Sequence, residues 1–209
     1  MLHEGNIFLF EMALQKMPTE GAVIEIGCYG GLSTNLICYF MRKYGLKNPF
    51  FGTDLWIYEG FHDQKSVKFD TIDGRNDILR TDFMHHIKNS FINSTMLLSK
   101  ENLPNTCHLN SIDFFEKWSK SETVEDVFGR KTKLGGSISF AYIDGNHAYD
   151  FVKKEFEYIN KSLLPKGLIL FDDSFVGCKF GSAKLMAEIL QNTDYQLVME
   201  NPNFLFQKK

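Results

Sequence analysis

Short apolar runs alternate with amphipathic stretches along this chain, and each run stops on a glycine or a small polar residue. Ala22–Ile26 gives way to Gly27, while Phe50–Asp54, Cys107–Asn110, Ile138–Asp144 and Leu168–Asp172 end on Asp or Asn. Short runs rich in β-branched and aromatic residues, bounded by such breakers, read as buried strands. Between them, residues 4–17, 33–44, 112–120, 149–164 and 180–191 carry apolar side chains at helical spacing. Parallel neighbours need long crossover connections, so this alternation dictates an α/β architecture: a mostly parallel sheet with helices on both faces. Tyr195–Glu200 and Phe204–Phe206, separated by Asn201-Pro202-Asn203, add a C-terminal antiparallel hairpin and bring the expected sheet to seven strands.

Length and composition narrow the partners. At 209 residues with 44% hydrophobic and 23% charged residues, the chain is one domain, 1–209, with an ordinary core. Its 20 Phe are expected to fill that core. Segment 55–100, read as two helices near 75–90 and 91–102, and the polar segment 121–136 are expected lids or insertions. A net charge of −3 without a basic run argues against nucleic acid. No run of apolar residues is long enough for a membrane span, and no basic leader followed by an apolar stretch opens the chain. Cys28, Cys38, Cys107 and Cys178 form no C-x-x-C pair, so they are expected as free, buried thiols in a reducing compartment, the cytoplasm.

Ligands of such sheets bind outside the C-terminal ends of the strands, which makes the residues after each strand the candidate site. Glu25-Ile26-Gly27-Cys28-Tyr29-Gly30-Gly31-Leu32-Ser33 is a glycine turn at the head of a helix. It lacks the G-x-G-x-x-G dinucleotide pattern, because position 29 is Tyr; by itself it suits a cofactor loop or a plain strand–helix turn. Asp54 can accept hydrogen bonds from ribose hydroxyls, or cap a helix. Asp144 closes one strand, and Asp172 and Asp173 follow 28 and 29 residues later at the end of the next. A right-handed crossover brings these strand ends together. Three carboxylates at one edge repel one another unless a hard cation such as Mg²⁺ or Mn²⁺ joins them, or unless one caps a helix and the others stay solvated.

The pattern E-x-G-x-x-x-G-x-S resembles motif I of S-adenosylmethionine-dependent methyltransferases, close to its form in catechol O-methyltransferase-like enzymes. Ile143-Asp144-Gly145, Leu164-Pro165-Lys166-Gly167 and Phe171-Asp172-Asp173 are similar to the metal-dependent sugar (macrocin-type) branch. The resemblance runs from about Gly21 to Leu190 and is weak through 55–100 and 121–136. It implies a Rossmann-like methyltransferase fold and S-adenosylmethionine as cofactor. Glu25, Gly27, Tyr29, Gly31 and Ser33 would surround the methionine part, Asp54 the ribose, and Ser111 the adenine edge. Asp144, Asp172 and Asp173 would bind the metal, and His147 would be the general base. Asn146 stands where some sugar enzymes carry a second acid, so that role is absent here. The implied partner is a small-molecule hydroxyl acceptor, a sugar or glycosylated metabolite, and a homo-oligomer is left open. Trp56, Tyr58 and Phe61 would stack on the acceptor or pack a lid. The rival readings are a metal-independent methyltransferase and a non-catalytic nucleoside-binding module.

Overall fold

The computed structural model describes residues 2–57, 68–69 and 78–209. In chain order the elements are α1 (Glu4–Lys16), β1 (Ala22–Ile26), α2 (Leu32–Lys43), β2 (Phe50–Thr53), β3 (Lys68–Phe69), β4 (Ile78–Leu79) and α3 (Arg80–Leu98). Then come β5 (Asn105–Cys107), α4 (Ser111–Ser119), β6 (Thr123–Glu125), β7 (Lys131–Lys133) and β8 (Ile138–Ile143). The chain finishes with α5 (Tyr149–Ser162), β9 (Leu163–Phe171), α6 (Gly181–Leu190), β10 (Tyr195–Glu200) and β11 (Phe204–Lys208).

Seven strands form one sheet in the order β10-β11-β9-β8-β1-β2-β5. The pairs from β9 to β5 are parallel, and β11 is antiparallel to both β9 and β10. This is the expected Rossmann-like sheet with its terminal hairpin. Alternation along each strand sends side chains to opposite faces. On one face Ile24, Ile26, Phe171 and Phe206 pack with Phe114, Ile159 and Leu185 from α4, α5 and α6. On the other, Val23, Tyr142, Leu170 and Leu205 pack with Phe10 from α1 and Ile37 from α2. Most of the described Phe therefore serve the core, while Phe8, Phe151 and Phe180 are exposed.

Three boundaries differ from the sequence reading. A single helix, α3, spans most of the segment expected to hold two, and a 3₁₀ turn, Lys100–Asn102, follows it. Its packing explains this: Phe91 and Met84 cover Trp56 and Cys28 in a third, smaller core, so one continuous face is buried. Segment 121–136 contains the small hairpin β6–β7. Pro165-Lys166-Gly167 lies within β9 rather than in a turn, because Leu163 already pairs with Ile138 and the register shifts before Phe140 meets Leu168. Lys166 takes the left-handed backbone conformation there, at φ 64°.

Candidate active site

The C-terminal ends of β1, β2, β5 and β8 open onto a cleft of about 800 Å³. Gly27, Tyr29, Asp54, Ser111 and Asp144 line it, together with Asn110, Asp113, Asn146 and Glu155. Asn110 is the N-cap of α4 and accepts the Asp113 N–H at 2.8 Å, which aims the first turn of that helix at the cleft. The N–H groups of such a turn can meet the edge of a purine.

The glycine loop works differently from a bare cradle. Gly27 has φ 84°, and a Cβ there would sit 2.0 Å from the Asp144 carbonyl oxygen. The glycine is needed so that the β1 and β8 loops can touch, before any ligand is considered. Gly31, at φ 88°, lets Phe91 of α3 approach, and a Cβ would stand 3.0 Å from its ring.

Glu25 does not face the cleft. It shares the parity of Val23, so it points under the start of α2, fully buried. Ser33 Oγ and Thr34 Oγ1 each donate to it at 2.5 Å. Burial outweighs those two hydrogen bonds and pushes its pKa from 4.5 up to about 7. Glu25 and Ser33 thus support the loop from below.

Asp54 gathers the loop. Its Oδ2 accepts the N–H groups of Cys28 and Tyr29 at 2.9 and 2.8 Å, and its Oδ1 accepts that of Trp56 at 2.6 Å. Burial raises its pKa against these three donors. A carboxylate has about four lone-pair sites, which leaves about one for a ribose hydroxyl. Trp56 is buried, donates its indole N–H to the Tyr29 carbonyl at 2.9 Å and packs 5.3 Å from the Phe91 ring. It packs α3 onto the core. Tyr58 and Phe61 lie outside the described residues.

Beside the cleft, the ends of β8 and β9 bring two carboxylates together. Ile143 pairs with Phe171 in register, and the Asp172 N–H donates to the Ile143 carbonyl at 2.9 Å. Asp144 and Asp172 therefore follow side by side, within hydrogen-bonding reach of one another. Burial, and then the Asp172 charge, hold Asp144 protonated well above the carboxylate range. Tyr142 Oη donates to Asp144 Oδ2 at 3.0 Å. Asp172 Oδ1 accepts the side-chain amides of Asn6 at 2.5 Å and Asn203 at 2.7 Å.

Asp173 goes elsewhere. A strand cannot send adjacent side chains to one face, and Asp173 also turns through φ 44°. Its Oδ2 lies 3.4 Å from His147 Nε2, with the Phe180 ring 5.1 Å from the imidazole. His147 is thus a neighbour of the cleft and not part of its lining. Among the described residues no group of three His, Cys, Asp or Glu is arranged to hold a metal ion. Of the three carboxylates expected as ligands, the structure assembles two. That pair still fits a hard divalent cation, which would relieve the repulsion between two adjacent carboxylates; Mg²⁺ is often held by one or two carboxylates, with water completing its shell.

Several of these residues had no counterpart in the sequence reading. Glu155 sits with Val152, Phe156 and Ile159 on the buried stripe of α5. An acid at that helical position was a readable signal. Asn6 and Asn203 gave none, since their meeting depends on tertiary closure.

No curated protein matches the chain closely enough in sequence to be called a relative. Solved structures do match in fold. TomG, an O-methyltransferase from Streptomyces achromogenes solved with S-adenosylmethionine, is 10% identical, with 100% of this chain and 82% of that one covered and a TM-score of 0.60. CalS11, a TDP-rhamnose 3′-O-methyltransferase of calicheamicin biosynthesis, is 14% identical, with 97% and 78% covered and a TM-score of 0.57. A putative rRNA methylase from Clostridium thermocellum is 11% identical, with both chains covered in full and a TM-score of 0.58. These likenesses show the fold, and residues 24–174 carry the family assignment itself: they match the methyltransferase domain family, to which this chain belongs.

Proposed function

We propose that this methyltransferase uses S-adenosylmethionine to methylate a hydroxyl group of a small molecule, a sugar or glycosylated metabolite, in the cytoplasm. The observation that carries this reading is Asp144, which lines the nucleoside-sized cleft and also belongs to the carboxylate pair beside it. One residue thus joins a place for the cofactor to a place for the acceptor. The folds shared with TomG, solved with S-adenosylmethionine, and with the TDP-rhamnose enzyme CalS11 support the cofactor and the sugar. The four free cysteines support a reducing compartment.

The sulfonium already activates the methyl group, so the enzyme's task is to supply a deprotonated oxygen in line with it. The first turn of α4, Asn110 to Asp113, would hold the adenine edge, and Asp54 the ribose. Asp144 and Asp172 would hold a divalent cation, whose Lewis acidity lowers the pKa of an acceptor hydroxyl. His147 receives the proton, and Asp173, 3.4 Å away, stabilises the imidazolium that results.

The test is transfer of labelled methyl from S-adenosylmethionine to a panel of sugars, nucleotide sugars and catechols. A hydroxyl acceptor should become labelled, and His147→Ala should lower kcat about 10²–10⁴-fold with S-adenosylhomocysteine affinity unchanged. Tight NAD binding without S-adenosylmethionine binding would overturn the proposal, and full activity after chelation would remove the cation from it.

A further inference from the structure

Asp172 is held from behind by two amides that come from opposite ends of the chain. Asn6, from the first turn of α1, and Asn203, from the β10–β11 turn, are both fully buried, and Asp172 is 5% exposed. Both amide nitrogens donate to the same oxygen, Asp172 Oδ1, at 2.5 and 2.7 Å.

The orientation of each amide is dictated. Asn203 Oδ1 accepts the Ser174 N–H at 2.9 Å, so its nitrogen has to face Asp172. That nitrogen also donates to Asn6 Oδ1 at 3.0 Å, which in turn commits the Asn6 nitrogen to Asp172. Hydrogen bonds therefore run one way, from the Ser174 backbone through Asn203 to Asn6, and both amides converge on Oδ1. Ser174 is itself fixed: its Oγ donates to the Phe171 carbonyl at 2.8 Å and accepts the Phe204 N–H at 3.0 Å. A flipped amide at either position would set oxygen against oxygen in a buried site.

We propose that Asn6 and Asn203 are positioning residues, an amide clamp that saturates Asp172 Oδ1 and locks its rotamer so that Oδ2 is presented to a divalent cation shared with Asp144. The inference rests on the cation reading given above. Neither Asn would touch the cation. They act through Asp172, in the way that partners behind a ligand orient it and tune its affinity. Fixing the carboxylate in advance removes the cost of ordering it when the cation arrives.

The experiment is a Mn²⁺ titration of the purified protein followed by the loss of free-ion EPR signal, with S-adenosylhomocysteine affinity and thermal unfolding measured in parallel. Asn6→Leu keeps much of the shape and removes the amide. It should weaken Mn²⁺ binding by about 10- to 100-fold and leave S-adenosylhomocysteine affinity within about twofold of the wild type. A folded Asn6→Leu protein with wild-type Mn²⁺ affinity would overturn the clamp alone. Wild-type protein that binds no Mn²⁺ would overturn the cation reading and the clamp with it. A second measurement requires no variant: titration of the wild-type protein with Mg²⁺ should shift the side-chain amide NMR signals of Asn6 and Asn203 in step with occupancy. Signals that stay still while Mg²⁺ binds would refute the proposal.

Discussion

Replacing Glu25 by Gln isolates the cost of one buried carboxyl. Glu25 is wholly enclosed beneath α2, and its pKa is raised from 4.5 to about 7, chiefly by burial. The folded state therefore holds a proton that the unfolded chain releases near pH 4.5. The stability this contributes is complete below that pH and is lost as the pH rises through about 7. At about 1.4 kcal/mol per unit, the difference amounts to about 3 kcal/mol. Gln has no such proton, while every other titrating group is common to both proteins. The stability of Glu25→Gln relative to wild type should therefore rise by about 3 kcal/mol between about pH 4.5 and pH 8. Urea unfolding at several pH values measures this directly, with the difference taken at each pH so that shared acid and base effects cancel. Two parallel pH profiles, offset by a constant, would refute the argument, since they would mean that Glu25 titrates alike in the folded and unfolded chains.

Three further outcomes follow from the loop and the thiols. Gly27→Ala forces a Cβ against the Asp144 carbonyl at φ 84° and should destabilise by more than about 2 kcal/mol, seen as a lower urea midpoint, with S-adenosylhomocysteine binding lost as well. Asp54→Asn leaves at least one of three backbone N–H donors without its acceptor; a stability loss of about 1–3 kcal/mol and weaker cofactor binding by calorimetry are expected. Cys178 is the least buried thiol, and burial holds the thiols of Cys28, Cys38 and Cys107 well above their ordinary pKa. A thiol reagent should therefore label Cys178 first and the other three only as the protein unfolds, as mass spectrometry of partly labelled protein would reveal.

The strand ends were legible in the sequence because burial on both faces makes a parallel strand a continuous apolar run, and its last residue stands out. Gly27, Asp54, Asn110 and Asp144 all fall where the runs stop. What was not legible depends on direction rather than position. The spacing from Asp144 to Asp172 and Asp173 is the same whichever way each side chain turns. Only the register of Ile143 with Phe171 shows that Asp172 joins Asp144 while Asp173 goes to His147. Direction also decides Glu25: it sits at the edge of the cleft in sequence but takes the parity of Val23, toward α2. The sequence reads α3 as two helices because the partners of its buried face, Trp56 and Cys28, lie far from it in the chain.

The meeting of Asn6 and Asn203 spans 197 positions of sequence. A contact of such separation closes a loop of nearly the whole chain, so it needs both ends in place. During synthesis, the first turn of α1 emerges long before the β10–β11 turn exists, so until that turn arrives Asp172 can be met by Asn6 but not by Asn203. The carboxylate edge is therefore a feature that only a fully folded chain possesses. A partly folded intermediate can contain the whole of β1, β2 and β8 and still lack the arrangement at Asp172.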